Sequence, residues 1–505
     1  MRQLAEQMLG RLGQESFMRD APTHGTKSAD RHRERPTSFP LVRLVPLVLL
    51  TEIAALEITL IYPALQAMQS EFRTPSIGWT LTVTSLTGVV AQPMLGKVAD
   101  VIGKRRMILC ASVAFMLGSL VCALAPTFPV LLAGRVLQGI SMVVAPAAYG
   151  LIRDVLPARV VPVAMGAITT GLGLSALAGP LTGAVLLDAF GFRAVFWFCL
   201  VYAAVLAPVV LMAFPESAVR LRRKIDVLGG LLLGAGIGAL LLAVGQGRAW
   251  GWFSPATLGC VLLGAVLLVL FVRVELRAAE PLVDLRLLTG PALRWTLLAA
   301  FGCAFAIGGY GYLAPLLVQT PVAAGYGLGL GAMGVALILV PQGVLASVCG
   351  PVGGLLARRR SPRTTLLIAA SALAASMVWL TVLHTAVWQF LLAAVLQGIG
   401  FGFFFVSAAN LVIEAVPPTH TAVSAGMMGV ANNLGNATGV TVFGAVLAAH
   451  LVSRAQDGTP ARYAESGFVI ALLTAACTTG AAVLIAALMR HGRGPASGGA
   501  RIAAR

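Results

Sequence analysis

Apolar runs, each near bilayer length and each ended by a short polar stretch, follow one another from about residue 41 to residue 490. A helix needs about 20 mainly apolar residues to cross hydrocarbon. On that measure the pattern predicts about fourteen spans, at 42–65, 77–96, 107–125, 129–151, 162–187, 193–213, 227–247, 256–273, 294–317, 328–356, 364–383, 386–413, 422–450 and 467–489. The fold class expected is an all-α polytopic membrane protein. Residues 1–40 are polar and charged and predict a cytoplasmic tail, with a weak surface helix over Met1 to Met18 and no secretory cleavage site; residues 491–505 form a second short tail.

Polar residues inside the runs are few, so each one is informative. The first run reads LVRLVPLVLLTEIAALEITLIYPAL and contains Glu52 and Glu57. A carboxylate in hydrocarbon costs at least ~2.5 kcal/mol, so it is expected to face a partner, a cavity or a proton path. The bland alternative is burial in the protonated form with no role. Five residues place the two acids about 140° apart around a helix and ~7.5 Å apart along it. Glu52 shares a face with Thr59 and Tyr62, whereas Glu57 points among Leu50, Ile53, Leu60, Ile61 and Ala64. Periodicity alone selects Glu52 as the acid that faces a cavity. Arg135, about six residues into the fourth run, keeps its charge and needs a carboxylate, water or carbonyls around it.

Composition agrees with the pattern: 58% of the 505 residues are hydrophobic and 11% are charged, more apolar surface than a soluble fold could hide. The net charge of +17 does not imply a nucleic-acid partner, because the basic residues lie in short clusters between runs. Alternate loops hold Lys104 to Arg106, then Arg153 and Arg159, Arg220 to Lys224, Arg273 to Arg294, and Arg358 to Arg363; the loops between them are nearly bare. Basic loops stay on the cytoplasmic side, which places both termini there and agrees with an even span count. The seven cysteines lie within apolar runs without a CxxC, and the six histidines show no ligand spacing, so no disulfide or metal site is expected. No phosphate loop of the GxxxxGK[ST] type and no nucleophile–base set occurs, which argues against ATP as energy source and against an enzyme.

The two halves of the chain repeat. Val136-Leu137-Gln138-Gly139-Ile140 recurs as Val395-Leu396-Gln397-Gly398-Ile399, an offset of 259. Gly96 and its basic loop recur near Gly353 and Arg358 to Arg360, and Gly166, Leu174 and Gly179 recur as Gly426, Leu434 and Gly439. The offsets predict two parallel six-span bundles, at 41–215 and 291–490, around an inserted two-span segment at 216–290, with a transport site near the midplane where the halves meet. Chemistry is distributed unequally. After Leu285 only Glu414, Asp457 and Glu465 are acidic, and Ala394 stands where Arg135 stands in the first half.

Five stretches carry a resemblance. Gly96-Lys-Val-Ala-Asp100-Val-Ile-Gly103-Lys104-Arg105-Arg106 resembles the loop signature GxLaDrxGrk of the major facilitator superfamily, in which glycines allow a tight turn and the acid can meet basic side chains or a helix N-terminus. Arg135-Val-Leu-Gln138-Gly139 is similar to its RxxqG signature. Gly171 to Gly183, with Gly179-Pro180 inside it, looks like the gxxxGPxxG signature of its antiporters and exporters. Leu56-Glu57-Ile-Thr59-Leu-Ile-Tyr62-Pro63 resembles the LDxTIVNVALP stretch of the fourteen-span drug:proton antiporters, although Tyr62 replaces the usual asparagine and Pro63 comes three residues early. Val416-Pro417-Pro418, followed by Gly426 and Gly439, also fits the late spans of that branch.

The resemblance implies a major facilitator fold and a proton-coupled transporter that exports lipophilic or amphipathic small molecules by alternating access. It implies no cofactor, only the proton gradient, and as partners a small-molecule lipophilic substrate, protons and the bilayer of a bacterial plasma membrane, with no nucleic acid and the protein acting as a monomer. Uptake, export of another metabolite, or a non-transporting membrane sensor are the alternatives. The resemblance selects Glu57, with Glu52 as a relay and Arg135 as the countercharge, for proton coupling. Gly96, Asp100, Gly103, Lys104, Arg105, Gln138, Gly139, Gly171, Gly179, Pro180 and Gly183 would serve conformational change. Thr59, Tyr62, Gln92, Tyr149, Tyr310, Tyr312, Gln342, Phe405, Asn410 and Asn433 are polar or aromatic residues that could line a substrate pocket.

Overall fold

The apolar runs fold into helices because, without water, only an intrahelical ladder satisfies their backbone groups. The computed structural model describes residues 44–156, 161–217, 226–278, 281–283, 285–286, 290–415, 421–453 and 461–494. The tail helix expected over Met1 to Met18, the Arg220 to Lys224 cluster, Val416-Pro417-Pro418 and Asp457 lie outside the described residues.

The first run is broken twice. α1 (Leu44–Thr51) gives way at Glu52 to α2 (Ile53–Ile61), and a 3-10 turn over Tyr62–Ala64 leads into α3 (Leu65–Glu71). The axis bends by 46° at the first break. Pro63 accounts for the second break, since it lacks the N–H that the helix would use. The fourth run is likewise split into α6 (Phe128–Gly139) and α7 (Val144–Val155) by a 3-10 turn, with Pro146 just beyond it. Between them lie α4 (Trp79–Ile102) and α5 (Lys104–Leu124), and α8 (Val161–Phe190) with α9 (Arg193–Ala213) completes the first half. The inserted pair is α10 (Val227–Trp250) and α11 (Pro255–Arg277). The second half comprises α12 (Pro291–Gln319), α13 (Ala332–Arg359), α14 (Pro362–Val382), α15 (Val387–Ala415), α16 (Thr421–Ala449) and α17 (Glu465–Leu488). A short antiparallel pair, β1 (Leu451–Ser453) and β2 (Arg462–Tyr463), precedes α17.

Among the described residues, eleven helices are long and apolar enough to cross a membrane, or twelve with the bent first one counted as a single span. The two runs of the expected fourteen that fall short are α4 and α16. Both are long, but α4 carries Thr80, Thr82, Thr84 and Gln92, and α16 carries Asn432, Asn433, Asn436 and Thr441. The reason is their position. They pack against each other, and the hydroxyls of Thr82 and Thr441 meet at 3.0 Å.

The halves meet along two seams, α4 against α16 and α8 against α13. At the end away from the basic loops they are tied together. Gln66 Nε2 donates to Gln319 O at 3.4 Å, Gln319 Nε2 donates to Pro63 O at 3.3 Å, and Gln69 Nε2 donates to the Tyr463 hydroxyl at 2.6 Å. At the basic end the opposite holds: a Cβ added at Gly96, Gly350 or Gly426 would meet nothing within 4 Å. The halves are thus bonded to each other at the bare end, and open space borders these three glycines toward the basic end.

Candidate functional site

Glu57 and Arg135 meet in the interior of the first half. Glu57, on α2, and Arg135, on α6, are 1% and 0% exposed and form an ion pair through Arg135 Nη1 and Glu57 Oε1. Two further contacts fix the guanidinium. Its Nε donates to Thr80 O at 2.9 Å, and Nη1 also donates to Gln138 Oε1 at 2.9 Å. Gln138 is itself held, donating from Nε2 to Ser119 Oγ at 2.9 Å and accepting from the Cys122 thiol at 3.6 Å. The spacing of Arg135 and Gln138 explains the arrangement: three residues apart on a helix, they share a face and can converge on one point. Pairing is what makes a charged residue tolerable at this depth. Glu57 Oε2 and Arg135 Nη2 remain buried without hydrogen-bond partners.

Glu52 sits apart, at the break between α1 and α2. It is 3% exposed and faces α8, where Ser175 Oγ donates to its Oε2 at 3.3 Å and a Cβ at Gly171 would stand 2.6 Å from Oε1. Oε1 has no hydrogen-bond partner, and Tyr149 and Tyr202 flank the carboxyl. Thr59 shares that face. Its hydroxyl donates to Leu56 O and to Ser175 O at 3.1 Å, and a Cβ at Gly179 would collide with it. The face that periodicity marked as lining a cavity therefore packs on the small residues of α8. Gly183 extends the same contact onto the backbone of Leu60, below Pro180 within α8.

The remaining predicted residues are scattered. Gln92 Nε2 donates to Met142 O at 3.2 Å, and Asn433 lies against Gly88 beside Met142 with its Nδ2 unpaired. Tyr62 packs on Gly311, and Tyr312 packs on Gly78; the hydroxyls of Tyr310 and Tyr312 are buried and unpartnered. Asn410 uses its Nδ2 on Val406 O within α15, and Gln342 offers only backbone to Gly398. Phe405 packs against Phe401 with ring centroids 4.8 Å apart and planes tilted by 52°.

At the basic end the loop signature forms a tight node. Gly103 turns at φ 111° between α4 and α5, a conformation that suits glycine, and the Glu216 carboxylate fills the space a side chain would need. That carboxylate accepts from the backbone N–H groups of Arg105 and Arg106, both at 3.0 Å, where the helix N-terminus favours negative charge. Lys104 Nζ pairs with Asp154 at 2.5 Å and reaches Asp100 at 3.7 Å, while Arg105 donates to Leu211 O. Gly139 packs against Thr84 and Thr87 of α4. Sequence reasoning missed Glu216, Asp154, Ser119, Gln69 and Tyr463. For Ser119 a signal existed, because Ser376 recurs at an offset of 257.

The profile of the Major Facilitator Superfamily matches residues 47–440 and, in a second alignment, 299–501. The chain belongs to that superfamily. As a superfamily member it is a multi-pass membrane protein of transporter type. It is 28% identical over 406 residues to the multidrug resistance protein Stp of Mycobacterium tuberculosis (strain CDC 1551 / Oshkosh), covering 78% of this chain and 74% of that protein. Over 397 residues it is 29% identical to a probable actinorhodin transporter of Streptomyces coelicolor, covering 75% and 67% of the two chains. A solved bacterial homologue of the human lysosomal transporter Spinster, in an inward-facing and unoccupied conformation, aligns over 89% of this chain and 96% of its own with a TM-score of 0.60. At 16% identity that likeness speaks to the major facilitator fold alone.

Proposed function

We propose that the protein exports lipophilic or amphipathic small molecules from a bacterial cell in exchange for protons, with both termini in the cytoplasm and all fourteen runs crossing the plasma membrane. The observation that carries this reading is the fully buried ion pair between Glu57 and Arg135. A charge pair removed from water is stable only while both partners stay charged, so a proton arriving on Glu57 undoes the pair that joins α2 to α6. In this reading Glu57 releases its proton inward when the basic, cytoplasmic end is open. In the opposite state a proton from outside would neutralise Glu57, with Glu52 as relay. Relatives named for multidrug resistance and for actinorhodin transport support export of such compounds.

The test is drug-driven proton movement in everted vesicles. Glu57→Gln keeps the shape of the side chain and removes its charge; it should abolish drug-driven proton flux while protein remains in the membrane. Flux at the wild-type level would rule out Glu57 as the coupling acid. Efflux that persists in the presence of a protonophore would rule out proton coupling itself.

A further inference from the structure

At the basic end the two halves build the same turn and neutralise it differently. In each half the chain that leaves the sixth span folds back onto the turn between the second and the third. In the first half it leaves α9 at Ala213 and delivers Glu216, whose carboxylate accepts from the N–H groups of Arg105 and Arg106 at the start of α5. Asp154 and Asp100 hold Lys104. The first turn thus sets Asp100, Asp154 and Glu216 against Lys104, Arg105 and Arg106.

In the second half the chain leaves α17 at Leu488, and Gly492 O accepts from the Arg363 N–H at 3.1 Å. His491 lies three residues past its helix, as Glu216 does past α9, and meets Leu411 O of α15 at 3.2 Å. Arg363 completes the fastening, donating from Nε to Ala486 O at 2.8 Å and from Nη2 to Ala487 O. The returning segment brings no acid. It adds Arg490 and Arg493 to Arg358, Arg359 and Arg360, and all five are exposed. Among the described residues, the acids of the second half are Glu414, at the end of α15, and Glu465, which pairs with His384; neither pairs with these arginines. Among the same residues, the guanidinium groups of Arg358, Arg359, Arg360 and Arg490 bond to nothing, and Arg493 offers only Nε to Met489 O at 3.3 Å. The start of α14 is satisfied as well, since Pro362 has no N–H, Arg363 uses its own on Gly492, and Thr364 donates to Ser361 Oγ at 3.1 Å. An anion here would be held by side chains.

Topology explains why a basic turn stays on one side of the membrane. It does not ask for a second basic segment bonded against the first. Like charges gathered in this way repel until an anion joins them. The two segments end the apolar helices α13 and α17, at the level where spans leave the hydrocarbon and meet headgroups. Guanidinium groups bind phosphate oxygens through paired N–H groups, and anionic lipids give the cytoplasmic leaflet its negative surface.

Resting on the orientation given above and not on the cargo, we propose that Arg358, Arg359, Arg360, Arg490 and Arg493 form a binding surface for an anionic phospholipid. Its phosphodiester headgroup supplies to the second-half turn the negative charge that Glu216 supplies to the first. The bilayer thereby completes one half of the protein and not the other.

The test is a titration of the full chain in non-ionic detergent with tail-labelled phosphatidylglycerol or phosphatidylcholine, read by fluorescence anisotropy. Wild type should bind phosphatidylglycerol about tenfold more tightly than phosphatidylcholine. Arg358→Gln/Arg359→Gln/Arg360→Gln should raise the Kd for phosphatidylglycerol about tenfold, and Arg490→Gln/Arg493→Gln about fivefold. Arg273 and Arg277, exposed at the same end on α11, supply the control: Arg273→Gln/Arg277→Gln should change the Kd less than about twofold. Equal affinity for the two lipids, or an equal loss in the α11 variant, would reduce the effect to a diffuse field and overturn the proposal. Displacement of the lipid by millimolar inorganic phosphate would overturn it in favour of a free-phosphate site. A lowered melting midpoint of the triple variant without lipid would mark the arginines as structural and overturn it too.

Discussion

In the first half Gln138 donates to Ser119 at 2.9 Å and accepts from Arg135; in the second half Gln397 donates to Ser376 at 3.3 Å, and its oxygen, equally buried, meets no donor. The two glutamines hold matching places 259 residues apart, next to serines 257 residues apart. Both halves carry the amide and the hydroxyl, but the arginine has its counterpart in Ala394, which is buried in the second half. The difference separates two jobs that one motif can do. The amide–hydroxyl bond joins neighbouring helices in either half, while only the first half adds the charge, and with it the requirement for a carboxylate in the bilayer.

The sharpest way to break this comparison is to exchange the charged position. Arg135→Ala leaves Glu57 buried without its countercharge, a change that costs about 3–5 kcal/mol in buried pairs. Transport should be lost and the midpoint of thermal unfolding in detergent should fall. Ala394→Arg places a charge where no acid waits, so a comparable drop is expected. Unaltered unfolding of both variants would mean that the charge is not what distinguishes the halves.

A smaller contrast is expected at the amides. Gln138→Leu removes one acceptor of Arg135 and strands the guanidinium N–H, about 1.5–3 kcal/mol for a bond to a charged group. On the export reading, proton-coupled efflux should fall with it. Gln397→Leu gives up one long bond and an acceptor that was already unpaired, so stability within about 1 kcal/mol of wild type is expected, with transport kept. The smallest effects belong to the hydroxyls. Ser119→Ala should cost about 1 kcal/mol and Ser376→Ala less, an order that paired unfolding curves would check.

Much of this was legible in the chain. The apolar runs became helices at nearly the expected limits, and the repeat led directly to the two glutamines. The pairing of Glu57 with Arg135 was readable only through the family resemblance. Periodicity favoured Glu52, because Glu52, Thr59 and Tyr62 form a polar stripe on one face of the first run. Part of that stripe serves another purpose: Glu52 and Thr59 meet the glycines and Ser175 of α8, and polar atoms bonded across a helix contact look, in sequence, like atoms lining a cavity. The break at Glu52 was not legible either, since glutamate is a good helix former. Tyr463 and Gln69 lie 394 residues apart, and no local pattern announces such a bond.

The two bonds from Gln66 to Gln319 O and from Gln319 to Pro63 O have a consequence for how long the bare end stays shut. Neutral hydrogen bonds contribute about 0.5–1.5 kcal/mol each. Two of them bias an equilibrium by roughly 5–150-fold, the range that corresponds to 1–3 kcal/mol. By themselves those two bonds would leave the end open in roughly one molecule in six to one in 150, and the bond from Gln69 to Tyr463 lowers that share further. The bare end is a door on a spring of a few weak bonds, and in the export reading the proton and the cargo bias how often it is found shut.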